Sequence, residues 1–165
     1  MNLNKILKNQ KKNKKNIFLN VGRLCKQKNQ SILLKAFKIF IKQNKNYEMH
    51  LCGDGPDLNK LKLLSIRLKI NKYIKFLGWN SKISKYLKRS KFFILPSLYE
   101  GLPNVLINAL NHDLVCLASN VSGVKDICGN NFISINNKSP KEISKKMILA
   151  VEKYKFYLNK NFRNK

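Results

Sequence analysis

Glu100 carries the sharpest chemical signal in this chain. It lies in Leu95-Pro96-Ser97-Leu98-Tyr99-Glu100-Gly101-Leu102-Pro103-Asn104-Val105-Leu106-Ile107-Asn108-Ala109-Leu110. That stretch reads as the end of a buried strand, a tight loop with one carboxylate, and a helix opening at a proline. A carboxylate ahead of Gly-Leu-Pro-Asn is suited to accept hydrogen bonds from sugar hydroxyls. The amides of Gly101 to Val105 would face a sugar or a phosphate at the helix start. The alternative for Glu100 is a carboxylate interacting with the helix dipole, worth about 0.3–1 kcal/mol. Residue type alone leaves the two readings even.

Arg23 and Lys28 form a second constellation. They follow a short apolar strand, in Gly22-Arg23-Leu24 and the residues leading into a helix. A helix N-terminus offers free amides and a partial positive charge. An Arg adds a planar fork and a Lys adds a point charge, which together make a cradle for a diphosphate. In a chain this rich in lysine, the pair also reads as two solvated cations.

Three further loops fall at comparable places. Gly53-Asp54-Gly55-Pro56, with Asp57, ends a strand and starts a helix. A turn explains it, and Gly53 would share the sheet edge with the residues above. Gly78-Trp79-Asn80 follows another strand, and Trp79, the only tryptophan, reads as core or rim packing ahead of pocket wall. Gly123-Val124-Lys125-Asp126 repeats the layout of strand, glycine turn and acidic first helical turn, as capping alone would.

The elements that must position these loops are legible from periodicity. Strands are expected at Ile17 to Val21, Tyr47 to Cys52, Ile74 to Leu77, Phe92 to Leu95, Val115 to Ala118 and Phe132 to Ile135. Helices are expected at Asn29 to Gln43, Asp57 to Leu68, Lys82 to Ser90, Pro103 to about Leu110, briefly after Gly123, and from Pro140 to about Tyr157. Such alternation implies an α/β fold: a single Rossmann-like, doubly wound parallel sheet with right-handed crossovers. Ligands bind such sheets at the carboxyl ends of their strands. The Gly-x-Gly-x-x-Gly fingerprint is absent, which disfavours a dinucleotide-binding fold. Residues 1–16 read as a basic lead-in or linker remnant, 17–157 as one domain, and 158–165 as a basic tail.

At 165 residues the chain has the length for one domain with its own core. Its net charge of +26 is extreme. A strong positive field attracts nucleic acid or an anionic membrane. Compositional drift is the favoured explanation: of 34 basic residues only Arg23, Arg67, Arg89 and Arg163 are Arg, and the lysines are scattered apart from Lys11-Lys12-Asn13-Lys14-Lys15. No apolar run approaches the roughly 18 residues of a membrane span. The N-terminus has no apolar region of signal-peptide type, so a cytoplasmic protein is expected. Cys25, Cys52, Cys116 and Cys128 show no CxxC pairing, and His50 and His112 are not spaced to join them on zinc. Buried, reduced thiols are expected.

In order along the chain, VGRL with Lys28, GDGP, FLGW, LPSLYEGLPNVLINAL and SGVKDI resemble the successive landmarks of the family 4 glycosyltransferases of GT-B architecture. The resemblance covers roughly Ile17 to Tyr157. It implies the C-terminal, nucleotide-sugar-binding half of such an enzyme, with retention at the anomeric carbon, working in glycan or polysaccharide synthesis. Arg23 and Lys28 would hold the donor diphosphate and stabilise it as the leaving group. They would replace a metal ion, so neither a metal nor another cofactor is expected. Glu100 matches the first Glu of the family's E-x7-E motif and would contact the transferred sugar, completing a catalytic set of Glu100, Arg23 and Lys28. Gly22 and Gly53 would adjoin the donor, and Gly101, Leu102, Pro103 and Asn104 would line its sugar and phosphate.

The chain departs from the family pattern twice. The second Glu of the motif falls at Asn108, whose amide oxygen can accept from ribose hydroxyls without a charge. Losing a charge-assisted bond costs on the order of 1–3 kcal/mol. Asp126 stands where the family usually has Glu. About 16 residues precede the first expected strand, too few for an acceptor domain. The expected partners are therefore a nucleotide sugar, a separate acceptor-binding chain, and peripherally an anionic membrane at the inner face, with nucleic acid disfavoured. The alternative is a truncated remnant or a nucleotide-sugar-binding module without catalysis.

Overall fold

The computed structural model describes residues 14–129 and 131–163. The lead-in expected at 1–16 thus lies mostly outside the described residues, as do the last two residues of the expected tail.

Six strands form one sheet: β1 (Lys15–Val21), β2 (Glu48–Cys52), β3 (Ile74–Gly78), β4 (Ser90–Leu95), β5 (Val115–Ser119) and β6 (Ile133–Ile135). Their order is β3-β2-β1-β4-β5-β6, and every pairing is parallel. The order reverses between β1 and β4, the topological switch point of a doubly wound sheet. The helices are α1 (Gln30–Phe40), α2 (Leu58–Arg67), α3 (Ser84–Arg89), α4 (Asn104–Asn111), α5 (Ser122–Cys128), α6 (Pro140–Glu152) and α7 (Tyr154–Arg163).

Strands buried on both faces alternate their side chains between two cores. Phe18, Met49, Leu51, Phe92 and Ile94 face α1, α2 and α6. Leu19, Val21, Cys52, Phe93 and Leu95 face α3, α4 and α5. The first core is centred on aromatics: Phe18 stacks on Phe92 with centroids 4.5 Å apart and meets Phe40 edge-on at 5.3 Å. Register is therefore fixed, because a slip of one residue would exchange the two faces of a strand.

Several boundaries differ from expectation: α1 ends at Phe40 rather than Gln43, β4 begins at Ser90 rather than Phe92, and α3 spans Ser84–Arg89 rather than Lys82 to Ser90. β1 begins at Lys15, which pairs with Ser90 ahead of an irregularity in the ladder. Just before it, Lys14 Nζ donates to the Ser90 and His112 carbonyls at 3.0 and 2.8 Å. The last helix is not continuous from Pro140 to Tyr157 but breaks at Lys153. The break lets Tyr154 turn edge-on to Phe92, with ring centroids 5.3 Å apart. A new helix then runs on to Arg163, so 158–163 is helical.

Candidate functional site

Asn20 opens the site. The recorded β1–β4 pairing ends at Leu19 and Phe93. One residue on, the buried Asn20 side chain donates from Nδ2 to the Ile94 carbonyl at 2.8 Å. It satisfies the strand end, and the loops after β1 and β4 then separate above the switch point.

Across this gap Lys28 and Glu100 meet. Lys28 Nζ lies 2.7 Å from Glu100 Oε1 and 2.9 Å from Oε2. The Glu100 side chain is only 5% exposed and that of Lys28 18%. Ser97, itself fully buried, donates from Oγ to Glu100 Oε1 at 2.5 Å. Charge-assisted bonds of this kind are the strong ones, so Glu100 is held in one place by two donors from two loops.

The β4 loop is tied down by its neighbours. The Leu98 N–H donates to the Gln27 carbonyl at 2.8 Å, and Gln27 Nε2 donates to the Tyr99 carbonyl at 3.1 Å. Asn137, after β6, donates from Nδ2 to the Ser97 carbonyl at 2.8 Å, while its own carbonyl accepts from Asn29 Nδ2 at 2.8 Å. Beneath the loop lies Gly123: a Cβ there would collide with the Glu100 and Gly101 carbonyl oxygens. A role beyond helix capping therefore falls to Gly123, because its missing side chain makes room for the Glu100 loop.

Gly53 plays the same part for the β1 loop. Its φ is +142°, and a Cβ would collide with the Gly22 carbonyl. The two loops are joined by the Gly22 N–H donating to the Cys52 carbonyl at 3.0 Å and the Leu24 N–H to the Asp54 carbonyl at 2.9 Å.

Beside this junction is a cleft of about 500 Å³, lined by Val21, Gly22, Arg23, Cys52, Gly53, Asp54, Trp79, Asn80 and Ile83. Arg23 is exposed there, and its carbonyl is held by Gln30 Nε2 at 3.0 Å. Gly22 joins the two halves of the site, since it lines the cleft and the space at its Cα borders the Lys28 stem. Trp79 is 76% exposed on the cleft wall rather than packed in the core. The size is that of a small-molecule site.

The helix start is arranged differently from expectation. Pro103 is buried and takes the N-cap position, so α4 opens at Asn104. The Asn104 N–H is engaged with the Leu102 carbonyl at 2.9 Å. Gly101, Leu102, Asn104 and Asn108 are all exposed. Among the described residues, no three His, Cys, Asp or Glu side chains gather in a group that could hold a metal ion. Cys25, Cys52 and Cys116 are not joined in disulfides, and the last two are buried.

Of the residues singled out by type and spacing, the fold pairs Lys28 with Glu100 and sets Arg23 with Gly22 and Gly53 on the adjoining cleft, while Gly101, Leu102, Asn104 and Asn108 are exposed on the loop and helix after β4. Ser97, Asn137, Gln27 and Gly123 were missed as supports. Ser97 stands three residues before Glu100, a turn spacing that could have marked it. Nothing local marks Asn137, which reaches Ser97 from forty residues away in sequence.

The family model for glycosyl transferases group 1 matches residues 3–165. The chain belongs to this family. Among curated relatives it is 35% identical over 119 residues to the Escherichia coli UDP-Gal:alpha-D-GlcNAc-diphosphoundecaprenol alpha-1,3-galactosyltransferase, covering 70% of this chain and 31% of that protein. It is 38% identical over 122 residues to the capsular polysaccharide biosynthesis glycosyltransferase CapH of Staphylococcus aureus, covering 72% and 34%. The fold matches the pneumococcal O-GlcNAc transferase GtfA, crystallised with UDP and GlcNAc, with a TM-score of 0.83, 17% identity, and coverage of 93% of this chain and 33% of that one. This group 1 glycosyltransferase chain spans about a third of the length of these relatives.

Proposed function

We propose that this chain is the donor-binding half of a retaining glycosyltransferase of family 4 type, the C-terminal half of a GT-B pair, acting in glycan synthesis. The observation that carries the reading is the Lys28–Glu100 pair at the switch point, beside a cleft carrying Arg23. A group 1 glycosyltransferase must hold an activated sugar, and UDP accompanies the solved GtfA fold.

In this reading the donor diphosphate binds Arg23 through its guanidinium fork and competes with Glu100 for Lys28. Glu100, freed from Lys28 but still held by Ser97, then accepts from hydroxyls of the transferred sugar. As the bond from the anomeric carbon to the diphosphate breaks, Arg23 and Lys28 neutralise the charge that collects on the leaving oxygens. The two cations do the work of a metal ion, and no metal is assigned. Gly22 and Gly53 border the nucleotide side. Gly101, Leu102, Pro103 and Asn104 border the sugar side, Pro103 through its backbone because its ring is buried. Asn108 faces the ribose. The acceptor is bound by groups outside these 165 residues, on another domain or another chain, and the reaction is placed in the cytoplasm.

Thermal unfolding with UDP, GDP, ADP and their common sugar conjugates tests the reading. A ligand at 100 times its dissociation constant stabilises by about 2.7 kcal/mol. A shift with one nucleotide that vanishes in Arg23→Ala supports it. The absence of any shift with a folded sample would leave a remnant that has lost its donor site, and Asn108→Glu would then be the first change to restore it.

A further inference from the structure

The charge and apolar exposure of α2 concern neither the cleft nor the core. Its inward side buries Leu61 and Ser65. Its outward side carries Leu63 and Ile66, 56% and 57% exposed. At about 3.6 residues per turn these two form one ridge. Lys62 flanks it on one side, and Lys60 and Arg67 flank it on the other, all exposed. The neighbouring α1 packs against α2 and adds exposed Lys35 and a half-exposed Ile39. Neither helix contains an acidic residue.

We propose that the outer face of α2 is a docking surface for an anionic lipid bilayer. An aliphatic ridge bordered by long cations suits that interface: the aliphatics enter the boundary below the headgroups, and the lysines stay at the phosphates. A nucleic acid would reward the cations but give nothing for Leu63 and Ile66, and it favours Arg, of which α2 has only Arg67. No helix among the described residues is long and apolar enough to cross a membrane; the contact proposed for α2 lies at the bilayer surface. This surface stands independently of the donor site, and its role is to hold the chain where lipid-borne molecules are reached.

The test is co-sedimentation of the whole chain with vesicles of phosphatidylcholine alone and of equimolar phosphatidylcholine and phosphatidylglycerol. The parent is expected to bind only the anionic vesicles. Leu63→Ser with Ile66→Ser is expected to weaken that binding on the order of tenfold, with an unchanged melting temperature because both side chains are exposed. Lys60→Gln with Lys62→Gln is expected to weaken it on the order of tenfold. The same charge loss on the opposite layer, Lys85→Gln with Lys88→Gln on α3, is expected to change it less than about threefold. Equal losses from the two lysine pairs would overturn the proposal, as would full binding by the aliphatic variant. A parent that ignores anionic vesicles but binds duplex DNA as well as the aliphatic variant does would overturn it in favour of nucleic acid.

Discussion

At the scale of single residues, Glu100 and Lys28 have unequal freedom. Glu100 is nearly buried and relies on Lys28 and Ser97, whereas Lys28 keeps some access to water. Removing one partner of a buried pair leaves the other charge without compensation, and that penalty falls on the more buried member. Lys28→Met should therefore cost about 2–4 kcal/mol of unfolding free energy. Glu100→Gln should cost about 1 kcal/mol, because the amide can still accept from Lys28 and Ser97. Urea denaturation of the two variants checks the order; equal losses would mean that Glu100 reaches water when unpaired. Lys14 offers a second residue-scale effect. Burial is the main cause that lowers its pKa to about 8, against an opposing pull from Asp113. The unfolded chain keeps the ordinary lysine value of about 10.4. Below pH 8 both states hold the proton; between the two values only the unfolded state does. The unfolded state then binds more protons, so this lysine makes stability rise with pH across that window. Cys52, whose thiol burial pushes up, acts with the opposite sign at the alkaline end. The stability difference between the parent and Lys14→Met, followed from pH 7.5 to 10, isolates the lysine and should move in the parent's favour as pH rises.

At the scale of elements, the site is a meeting of loops, and two glycines set how closely they meet. Gly123→Ala would drive a methyl into the carbonyls of Glu100 and Gly101. The expected result is a loss of roughly 1–3 kcal/mol, together with weaker donor binding, because the Glu100 loop must lift. Normal binding by Gly123→Ala would show that the loop can shift without disturbing the site. These contacts also explain what could be read beforehand. The six strands and the parallel architecture were legible because strands such as Phe92–Leu95 and Val115–Ala118 are apolar throughout and are separated by helical periods. The expected single final helix departs from the structure because nothing in its periodicity announces the break at Lys153, which goes with the packing of Tyr154 on Phe92, a tertiary contact. Trp79 was expected in the core or at its rim for its apolar bulk, yet it follows Gly78 at the strand end, where the chain faces the cleft. Arg23, Lys28 and Glu100 could be picked by type and position. Ser97 and Asn137 act on Glu100 and its loop through the fold, which a linear reading does not bring together.

At the scale of the molecule, 34 cations against 8 carboxylates make a strongly self-repelling surface. Lys28–Glu100, Lys75–Glu48 and Lys145–Glu142 are paired, but 8 carboxylates leave most of the 34 cations with no carboxylate to meet. Repulsion of this kind lowers the stability of the compact state and is screened within about 10 Å at 0.1 M salt. The urea midpoint should therefore rise as sodium chloride is raised from a few millimolar to physiological strength, and a flat response would mean that the lysines are too far apart to matter. The same field draws anions toward the cleft, where Arg23 waits beside Trp79. Because Trp79 is the only tryptophan and stands exposed on the cleft wall, its fluorescence reports on that site alone. Titrating the chain with UDP, GDP and ADP while following this emission is the most direct test of the donor site. The account predicts a saturable change with one of them, lost in Arg23→Ala and weakened in Lys28→Met. No change with any nucleotide, or an equal change in Arg23→Ala, would contradict it.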